Sequence, residues 1–235
     1  MTATGVFVTG TDTEVGKTLV AAGLMHAYRR QGLRVAGMKP VAAGCRETAT
    51  GWKNDDVEAL RTAANVDAPD DVINPYLFHA WIAPHIAAAR DGVPISIDLI
   101  ATRFDALKTY ADRVVVEGAG GFLVPLGPDI GFDDLAVRLG LPVVLTVGMR
   151  LGCINHALLT QEAVLARGLP LVGWVANVVD PQMSAYDENL ATLKARIRAP
   201  LLGEIPRMEL PDPASTDLRV PDHGGSPGSV NRSIR

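Results

Sequence analysis

The residues best suited to chemistry form a short loop near the amino terminus. The stretch from Gly10 to Thr18, GTDTEVGKT, follows an apolar run and opens a segment of helical periodicity. In such a loop, backbone N–H groups and the helix start face phosphates, Lys17 reaches the β- and γ-phosphates, and the Thr18 hydroxyl can ligate Mg²⁺. The pattern predicts a nucleotide-binding loop, although five residues rather than the usual four separate Gly10 from Gly16. The alternative is a glycine-containing turn with a surface lysine.

Two further ionisable residues follow apolar runs that we predict to be strands. Lys39 comes directly after Arg34–Met38, and Glu117 after Arg113–Val116. Ligands of open α/β sheets bind beyond the carboxyl ends of the strands, so Lys39 can share a crevice with Lys17. Glu117 has the position of the acid that completes Mg²⁺ coordination in phosphate-loop enzymes, and the glycines after it let a ligand approach the backbone. The alternatives are a lysine that extends to solvent and an incidental glutamate in a turn.

A third charged segment, Asn54–Glu58, opens a predicted helix. Asp and Asn are favoured N-cap residues and stabilise the positive end of a helix, so this segment is explained without any ligand. Asp56 becomes a candidate ligand only where the helix start faces the phosphate loop. Periodicity does not establish that orientation.

The sequence does not favour other chemistries. The five histidines have no metal-ligand spacing, and no Gly-x-Ser-x-Gly nucleophile motif occurs. Cys45 and Cys153 lack the spacing of a zinc site or disulfide framework, which favours a reducing, cytoplasmic setting. The net charge of −4 argues against a nucleic-acid-binding surface over the whole protein. No apolar run approaches the about 20 residues that span a bilayer. We therefore expect no membrane partner and, because of the net charge, no nucleic-acid partner.

The candidate residues need elements that position them. Short apolar runs rich in β-branched residues alternate with helical periodicity, which is typical of βαβ units around a parallel sheet. The predicted strands are Val6–Thr9, Arg34–Met38, Arg113–Val116, Pro142–Val147, Leu171–Ala176 and Leu201–Ile205. The predicted helices are Gly16–Gln31, Asp55–Ala64, Ser96–Lys108, Phe132–Leu139, Ile154–Arg167 and Ala185–Arg196. Most strands are apolar throughout, which predicts a three-layer α/β fold with helices on both faces of the sheet.

Length and composition suit one domain. With 235 residues, 48% of them hydrophobic and 20% charged, the chain can bury a core without disulfides or a structural metal. Beyond Ile205, five prolines interrupt helical periodicity, and the segment Gly224–Ser229 has the composition of a linker. We therefore expect a single domain over residues 1–221 and a mobile tail over residues 222–235.

Six segments, taken together and in this order, resemble the dethiobiotin synthetase family. They are Phe7–Thr18, Lys39–Ala42, Val116–Gly121, Leu151–His156, Gly173–Asn177 and Leu202–Pro206. The resemblance spans roughly residues 6–206, and the extra residue in the phosphate loop is itself a feature of that family. It implies a P-loop nucleoside triphosphatase fold of the SIMIBI type, Mg²⁺ as cofactor, ATP as co-substrate and a ligase activity in biotin biosynthesis.

The resemblance also implies a reaction. In that family, diaminopelargonate and CO₂ form a carbamate, whose oxygen attacks the γ-phosphate of MgATP. The second amine then attacks the carbamic-phosphoric anhydride, which releases phosphate and closes the ureido ring. By matched position, Lys17 and Lys39 are implied as catalytic residues, and Thr18, Asp56 and Glu117 as the Mg²⁺ ligands.

Further contacts are implied residue by residue. Those to ATP are Glu14, Val15, Gly16, Lys17, Thr18, Leu19, Asp56, Glu117, Gly118, Ala119, Gly120, Asn177, Val178, Pro206, Arg207 and Met208. Those to the diamine are Thr13, Lys39, Ala43, Gly152, Cys153, Ile154 and Asn155. The segment Gly152–Asn155 would hold the diamine carboxylate across a homodimer interface, because free N–H groups at a helix start bind anions. The alternative is a capped helix start in which Asn155 makes local hydrogen bonds.

The sequence departs from the dethiobiotin synthetase family at two places, and two other protein families are alternatives to it. Ala43 stands where a serine is common, and the proline-rich end lacks the usual C-terminal helical pattern. Partitioning and septum-placement ATPases share the predicted architecture, but they usually carry an additional lysine early in the loop, where Thr11–Thr13 stands here. Cobyrinate-amidating synthetases also look similar, but they usually belong to a longer chain with a glutaminase domain.

Overall fold

The computed structural model describes residues 4–49 and 51–221. The strands within them are β1 (Thr4–Gly10), β2 (Val35–Met38), β3 (Val41–Ala43), β4 (Arg46–Thr48), β5 (Gly51–Lys53), β6 (Tyr76–Phe78), β7 (Arg113–Gly121), β8 (Val143–Met149), β9 (Leu171–Val178) and β10 (Leu201–Ile205). The helices are α1 (Lys17–Arg30), α2 (Asp55–Ala63), α3 (Asp70–Ile73), α4 (Pro84–Asp91), α5 (Ile97–Leu107), α6 (Phe132–Leu139), α7 (Cys153–Ala166) and α8 (Tyr186–Arg196).

Six strands build the central sheet in the order β10-β9-β8-β1-β7-β2, and each neighbouring pair runs parallel. All six coincide with strands predicted from the sequence, and α1, α2, α5, α6, α7 and α8 coincide with the predicted helices. The predicted α/β fold with a parallel sheet is confirmed. Strand β1 lies between β7 and β8, so the phosphate loop that follows it leaves from the middle of the sheet.

The segment between β2 and α5 contains more structure than the sequence predicts. Besides α2 it holds a parallel pair of strands, β3 with β6, and an antiparallel hairpin, β4 with β5. Helices α3 and α4 also lie in this segment. Each of the four strands has only three residues, too few for a period of two to be recognised.

The core lies on both faces of the central sheet. Successive strand residues point to opposite faces, so Phe7 packs in one apolar cluster while Val6 and Val8 pack in the other. Val115 and Val116 of β7 divide between the two clusters in the same way. This explains why the central strands are apolar throughout.

The carboxyl ends of β1, β2 and β7 meet at one edge of the sheet. The register between β1 and β7 pairs Val8 with Glu117 and then shifts, so that Gly10 pairs with Gly121. Gly120 lies in this irregular stretch and has a φ of +65°. Strand β7 thus extends beyond its predicted end at Val116, and Glu117 lies within the strand rather than after it.

The chain returns across α1 after β10. A 3₁₀ turn, Pro213–Ser215, precedes Thr216 and Leu218, which are both buried. A Cβ at Gly23 would lie 2.4 Å from Thr216 Oγ1, so this glycine lets the returning segment cross the helix closely. Within the described ranges, no helix is long and apolar enough to span a membrane. The predicted mobile tail over residues 222–235 lies outside the described residues, and the single-domain boundary stays a prediction.

Candidate active site

The phosphate loop joins β1 to α1 and is shaped by packing. Gly16 has a φ of +86°, and a Cβ there would lie 2.2 Å from Asn177 Nδ2, so only glycine fits this position. Val15 is buried under the loop, and a Cβ at Gly148 would lie 2.7 Å from one of its methyl groups. Glu14 has a φ of +58°, in the left-handed region that side chains rarely adopt. The loop is therefore held in one conformation with Glu14 and Gly16 at the wall of a cavity.

Lys17 begins α1 and is buried. Its Nζ donates to the backbone carbonyl oxygen of Asp12 at 2.8 Å, so the side chain folds back over the loop. Burial, together with the charge of Lys39, lowers the pKa of Lys17 to about 8. An anion beside the ammonium group favours its charged form. Lys17 is thus placed where a phosphate would relieve an unfavourable environment.

Lys39 lies at the centre of a buried cluster of charges. Its Nζ is 2.5 Å from Glu117 Oε1 and 2.8 Å from Asp56 Oδ2, and it donates to the Gly118 carbonyl oxygen at 3.2 Å. The Thr18 hydroxyl lies 2.8 Å from Asp56 Oδ1 and 2.9 Å from Glu117 Oε1. A hydroxyl has one proton to donate, so only one of these two carboxylates receives it at a time. The structure thus brings together residues from α1, α2, β7 and the end of β2.

Asn54, rather than Asp56, caps helix α2. The Asn54 side-chain oxygen accepts from the Val57 N–H at 3.2 Å, while its Nδ2 donates to the Gly44 carbonyl oxygen at 2.7 Å. The cap therefore also ties the helix start to the loop after β3. The capping explanation of the acidic segment therefore applies to Asn54. Asp56 instead faces the phosphate loop, where it accepts a hydrogen bond from Thr18.

The charged groups of the cluster respond differently to burial. Burial opposes the charge of Asp56, but Lys39 and Thr18 outweigh it, so the pKa of this carboxyl lies below its usual value. Burial raises the pKa of Glu117 in spite of Lys39 beside it. For Lys39, burial is outweighed by the two carboxylates, so its pKa is raised. These pKa shifts favour the charged forms of Lys39 and Asp56, whereas burial disfavours the charged form of Glu117.

The oxygen donors of the cluster suit Mg²⁺. Glu117 Oε2 is buried and has no hydrogen-bond partner among the described residues. Thr18, Asp56 and Glu117 offer oxygen ligands, which Mg²⁺ prefers, and this ion usually keeps waters and phosphate oxygens as its other ligands. Across the described ranges, no group of three or more His, Cys, Asp and Glu side chains could hold a metal. These residues therefore fit an ion that arrives with a nucleotide rather than one held by protein alone.

The cluster opens into a cavity of about 620 Å³. Eleven residues predicted for ATP, metal or diamine line it: Thr13, Glu14, Gly16, Lys17, Thr18, Lys39, Ala43, Asp56, Glu117, Ala119 and Gly120. The predicted contacts to phosphates, to a divalent cation and to amines thus share one space. Their individual roles stay predictions.

Sequence reasoning did not single out the apolar side of this cavity. It is formed by Trp81, Ile82, Ala83, Pro84 and Val124. The first four belong to the connection between β6 and the start of α4. Apolar residues in a connection carry no signal of chemistry in the sequence, so only the structure identifies this wall.

Other residues predicted for ATP lie around the phosphate loop. Val15 is beneath it, and Asn177 donates from Nδ2 to the Val15 carbonyl oxygen at 2.8 Å. Leu19 faces a second, mainly apolar pocket of about 680 Å³, whose wall includes Pro211–Ala214. Gly16 lines both this pocket and the charged cavity, so the two spaces adjoin at the loop.

The remaining nucleotide candidates follow strands β9 and β10. Ile205 pairs with Asn177 across these strands, which places the segment Pro206–Met208 beside the end of β9 at Val178. Neither Val178 nor this segment lines the charged cavity. Their contact with ATP stays a prediction.

The start of α7 stands apart from the other residues predicted for the diamine. Gly152 has a φ of +94° before the first helical residue, Cys153 is buried, and Asn155 is exposed. The segment Gly152–Asn155 does not line the cavity. Arg150, just before it, forms an ion pair with Asp12 of the phosphate loop. The helix start is thus attached to the loop without reaching into the cavity.

Known sequences match this chain over most of its length. The AAA domain family model matches residues 4–215. The ATP-dependent dethiobiotin synthetase BioD of Aromatoleum aromaticum is 54% identical over 217 residues, which cover 92% of this chain and 96% of that protein. The matched residues include the phosphate loop, the charged cluster and the start of α7.

Solved structures share the fold at low sequence identity. A ParA family ATPase from Chlorobium tepidum TLS superposes with a TM-score of 0.52 and 15% identity over 88% of this chain and 85% of that chain. The septum site-determining protein MinD of Pyrococcus horikoshii OT3, complexed with Mg-ADP, superposes with a TM-score of 0.52 and 14% identity over 86% and 81%. The predicted P-loop nucleoside triphosphatase fold is confirmed. At sequence identities this low, the structural similarity shows the fold alone.

Proposed function

Because this chain belongs to the dethiobiotin synthetase family and is an ATP-dependent ligase, we propose that it makes dethiobiotin from diaminopelargonate, CO₂ and ATP. The observation that carries the proposal is the convergence of two lysines and three oxygen ligands at one cavity with an apolar wall. The charged side suits phosphates and a carbamate. The apolar side suits the carbon chain of the diamine.

The proposed reaction has three bond-forming steps. An amine nitrogen of the diamine attacks the carbon of CO₂ and loses a proton, which gives a carbamate. A carbamate oxygen attacks the γ-phosphorus of ATP, and ADP leaves. The second amine then attacks the carbon of the carbamic-phosphoric anhydride and loses its proton, and phosphate leaves as the ring closes. Holding these groups side by side makes each attack intramolecular in effect.

Lys17 and Lys39 supply positive charge in this proposal. Both are buried, and Lys39 is fixed by contacts of 2.5 Å to Glu117 and 2.8 Å to Asp56. Fixed charges in a site shielded from water stabilise the charge that develops during phosphoryl transfer, because they need no reorganisation when the reaction occurs. Lys17 is positioned for the phosphates and Lys39 for the carbamate and the γ-phosphoryl group.

Thr18, Asp56 and Glu117 are the residues that would hold Mg²⁺. When bound, the ion offsets charge on the β- and γ-phosphate oxygens. The buried Glu117 Oε2, which lacks a hydrogen-bond partner among the described residues, supports this assignment. A cation beside Glu117 would also lower the pKa that burial raises.

The nucleoside part of ATP is assigned to the other side of the phosphate loop. Asn177 touches the loop through the Val15 carbonyl oxygen, and Val178 and Pro206–Met208 continue from the same pair of strands. The apolar pocket beside Leu19 adjoins this region and can accept part of a flat, weakly polar base.

The diamine carboxylate is assigned to Gly152–Asn155 of a second copy of the chain. Free N–H groups at a helix start bind anions. Two leucines near this helix start, Leu151 and Leu159, are 89% and 62% exposed, which supports a covered surface here. In this homodimer the cavity of one protomer would face the helix start of its partner.

The expected setting is the cytoplasm, with small molecules as the partners. Cys45 and Cys153 are both free thiols in the described structure, which supports a reducing compartment. We propose no partner among nucleic acids or membranes.

The proposal is tested by phosphate release from MgATP, measured with and without diaminopelargonate and bicarbonate. Mass spectrometry of the same samples detects the ring-closed product. We expect release that requires both substrates, together with one dethiobiotin per phosphate. Hydrolysis that is indifferent to the diamine, without product, would contradict the proposal and favour a nucleotide-switched ATPase.

A further inference from the structure

The cavity beside the phosphate loop has two sides of different character. Its floor carries Lys17, Lys39 and Glu117, which are polar and buried. Its apolar wall includes Trp81 and Ile82. The amines, phosphates and carbamate of the proposed reaction are accounted for by the floor. The wall takes no part in the bond-forming steps, and it is still to be assigned which of its side chains contacts the carbon chain of the diamine.

Trp81 is the largest side chain of this wall, and it is unusually exposed. Its surface is 77% accessible, whereas Trp174 is fully buried. An exposed indole at the mouth of a cavity keeps a large apolar area in contact with water. Burying that area against an apolar part of a ligand is favourable in proportion to the area removed from water.

The loop that carries Trp81 is fixed at both ends. The Gly44 and Cys45 N–H groups donate to the carbonyl oxygens of Phe78 and His79 at 3.0 and 3.2 Å. On the other side, Pro84 starts helix α4 immediately after the loop. Gly44 has a φ of +84°, and a Cβ there would lie 3.2 Å from the Trp81 Cβ. Trp81 therefore sits against a position that favours glycine and is held next to the cavity.

On the basis of the proposed function, we infer that Trp81 determines specificity by packing against the alkyl chain of the diamine substrate. The charged floor binds the amine end, and the carboxylate is assigned to a second copy of the chain. The carbon chain between these ends passes out of the cavity, where Trp81 offers a rigid apolar surface. A substrate with a shorter chain would leave part of the indole exposed.

Trp52 provides a matched control. It is also exposed, at 44%, but its ring stacks on His79 with 4.2 Å between ring centroids, and it does not line the cavity. Replacing Trp52 removes a comparable aromatic group from the same part of the surface. Of these two tryptophans, only Trp81 is expected to contact the carbon chain of the substrate.

The kinetic test compares Trp81→Ala with Trp52→Ala. We expect Trp81→Ala to raise KM for diaminopelargonate about tenfold, the scale on which an apolar contact discriminates, with kcat nearly unchanged. The wild type should lose about fourfold in kcat/KM for each methylene removed from the chain, and Trp81→Ala should show less of this loss. Trp81→Phe should restore most of the selectivity. An unchanged KM and an unchanged chain-length dependence in Trp81→Ala would overturn the inference.

Fluorescence tests the same contact without turnover. In a Trp52→Phe background, the exposed indole of Trp81 is the expected reporter, since Trp174 is buried. Titration with diaminopelargonate should shift the emission to shorter wavelength, and Trp81→Phe should abolish the shift. No shift in a protein that still makes dethiobiotin would overturn the role of Trp81 and leave the proposed function standing. The absence of both product and emission shift would contradict the role of Trp81 and the proposed function alike.

Discussion

The paired stretch of strands β2 and β7 is flanked by an ion pair on each side, and the two pairs differ in their surroundings. On the amino-terminal side, Arg34 pairs with Asp112 at 2.8 Å, with the side chains 59% and 39% exposed. On the carboxyl-terminal side, Lys39 pairs with Glu117 at 2.5 Å, with the side chains 4% and 1% exposed. The two strands keep one parallel register between these ends. The difference therefore comes from what covers each pair.

The two pairs also differ in what supports them. The exposed pair is supported by its own backbone, since the Arg34 N–H donates to Asp112 at 2.9 Å and the Asp112 N–H donates to the Arg34 carbonyl oxygen at 2.8 Å. Exposed pairs of this kind contribute little to stability, because solvent screens their charges. A buried pair loses hydration worth several kcal/mol per ion, and apolar replacements are often neutral or stabilising. Fold stability therefore does not explain the pair of Lys39 with Glu117, whereas the proposed role in binding and transferring phosphate would.

The largest effect is expected from Lys39→Ala. This change removes a fixed positive charge from the cavity, so turnover should fall at least about 100-fold, as when a preorganised group that stabilises a transition state is lost. Product formation measures the loss, and circular dichroism checks that the fold is kept. Lys108→Ala removes a lysine that does not line the cavity and should retain activity. A Lys39→Ala variant with normal turnover would contradict the proposed catalytic role of Lys39.

A smaller effect is expected from Thr18→Val, which keeps the side-chain shape but removes the hydroxyl beside Asp56 and Glu117. The Mg²⁺ ion would lose one of its oxygen ligands, so the Mg²⁺ concentration needed for half-maximal turnover should rise at least about tenfold. A Mg²⁺ titration of initial rates measures this. Thr18→Ser retains the hydroxyl and should stay close to the wild type. The same Mg²⁺ dependence in Thr18→Val would remove Thr18 from the ligand set.

A pH effect of similar or smaller size is expected for ATP binding. Burial lowers the pKa of Lys17 to about 8 in the free protein, and bound phosphates favour the charged form and raise this pKa. ATP affinity should therefore be constant below pH 8 and fall by at most about tenfold per pH unit above it. Calorimetry in buffers of different ionisation enthalpy should detect proton uptake on binding near pH 8. Lys17→Arg stays charged and should bind ATP without this pH dependence.

The smallest effect is expected at the amino ends of the same strands. Arg34→Ala and Asp112→Ala, combined in a double-mutant cycle, should give only a small coupling in the free energy of unfolding, because solvent screens both charges. Turnover should not change, because neither residue lines the cavity. Denaturant unfolding and the phosphate-release assay measure the two quantities. A loss of activity comparable to that of Lys39→Ala would contradict the distinction between the two pairs.

The sequence predicts the central sheet well because its strands are apolar on both faces and alternate with amphipathic helices. Between β2 and α5 it predicts helix α2 but misses the four three-residue strands, which are too short to show a period and of which β3 and β6 pair across a long stretch of chain. The acidic segment at the start of α2 is a similar case. The capping explanation is correct there for Asn54, while Asp56 faces Thr18 and stays a predicted ligand.

The sequence by itself determined the parallel α/β sheet, the phosphate loop and the residue types available to hold phosphate and Mg²⁺. Local patterns suffice for these, because periodicity and loop composition act over a few neighbouring residues. Only the tertiary structure decided that Thr18, Lys39, Asp56 and Glu117 touch one another, and that Trp81 stands at the same cavity. Those contacts join positions far apart in the chain, and they form because the carboxyl ends of β1, β2 and β7 meet at one edge of the sheet.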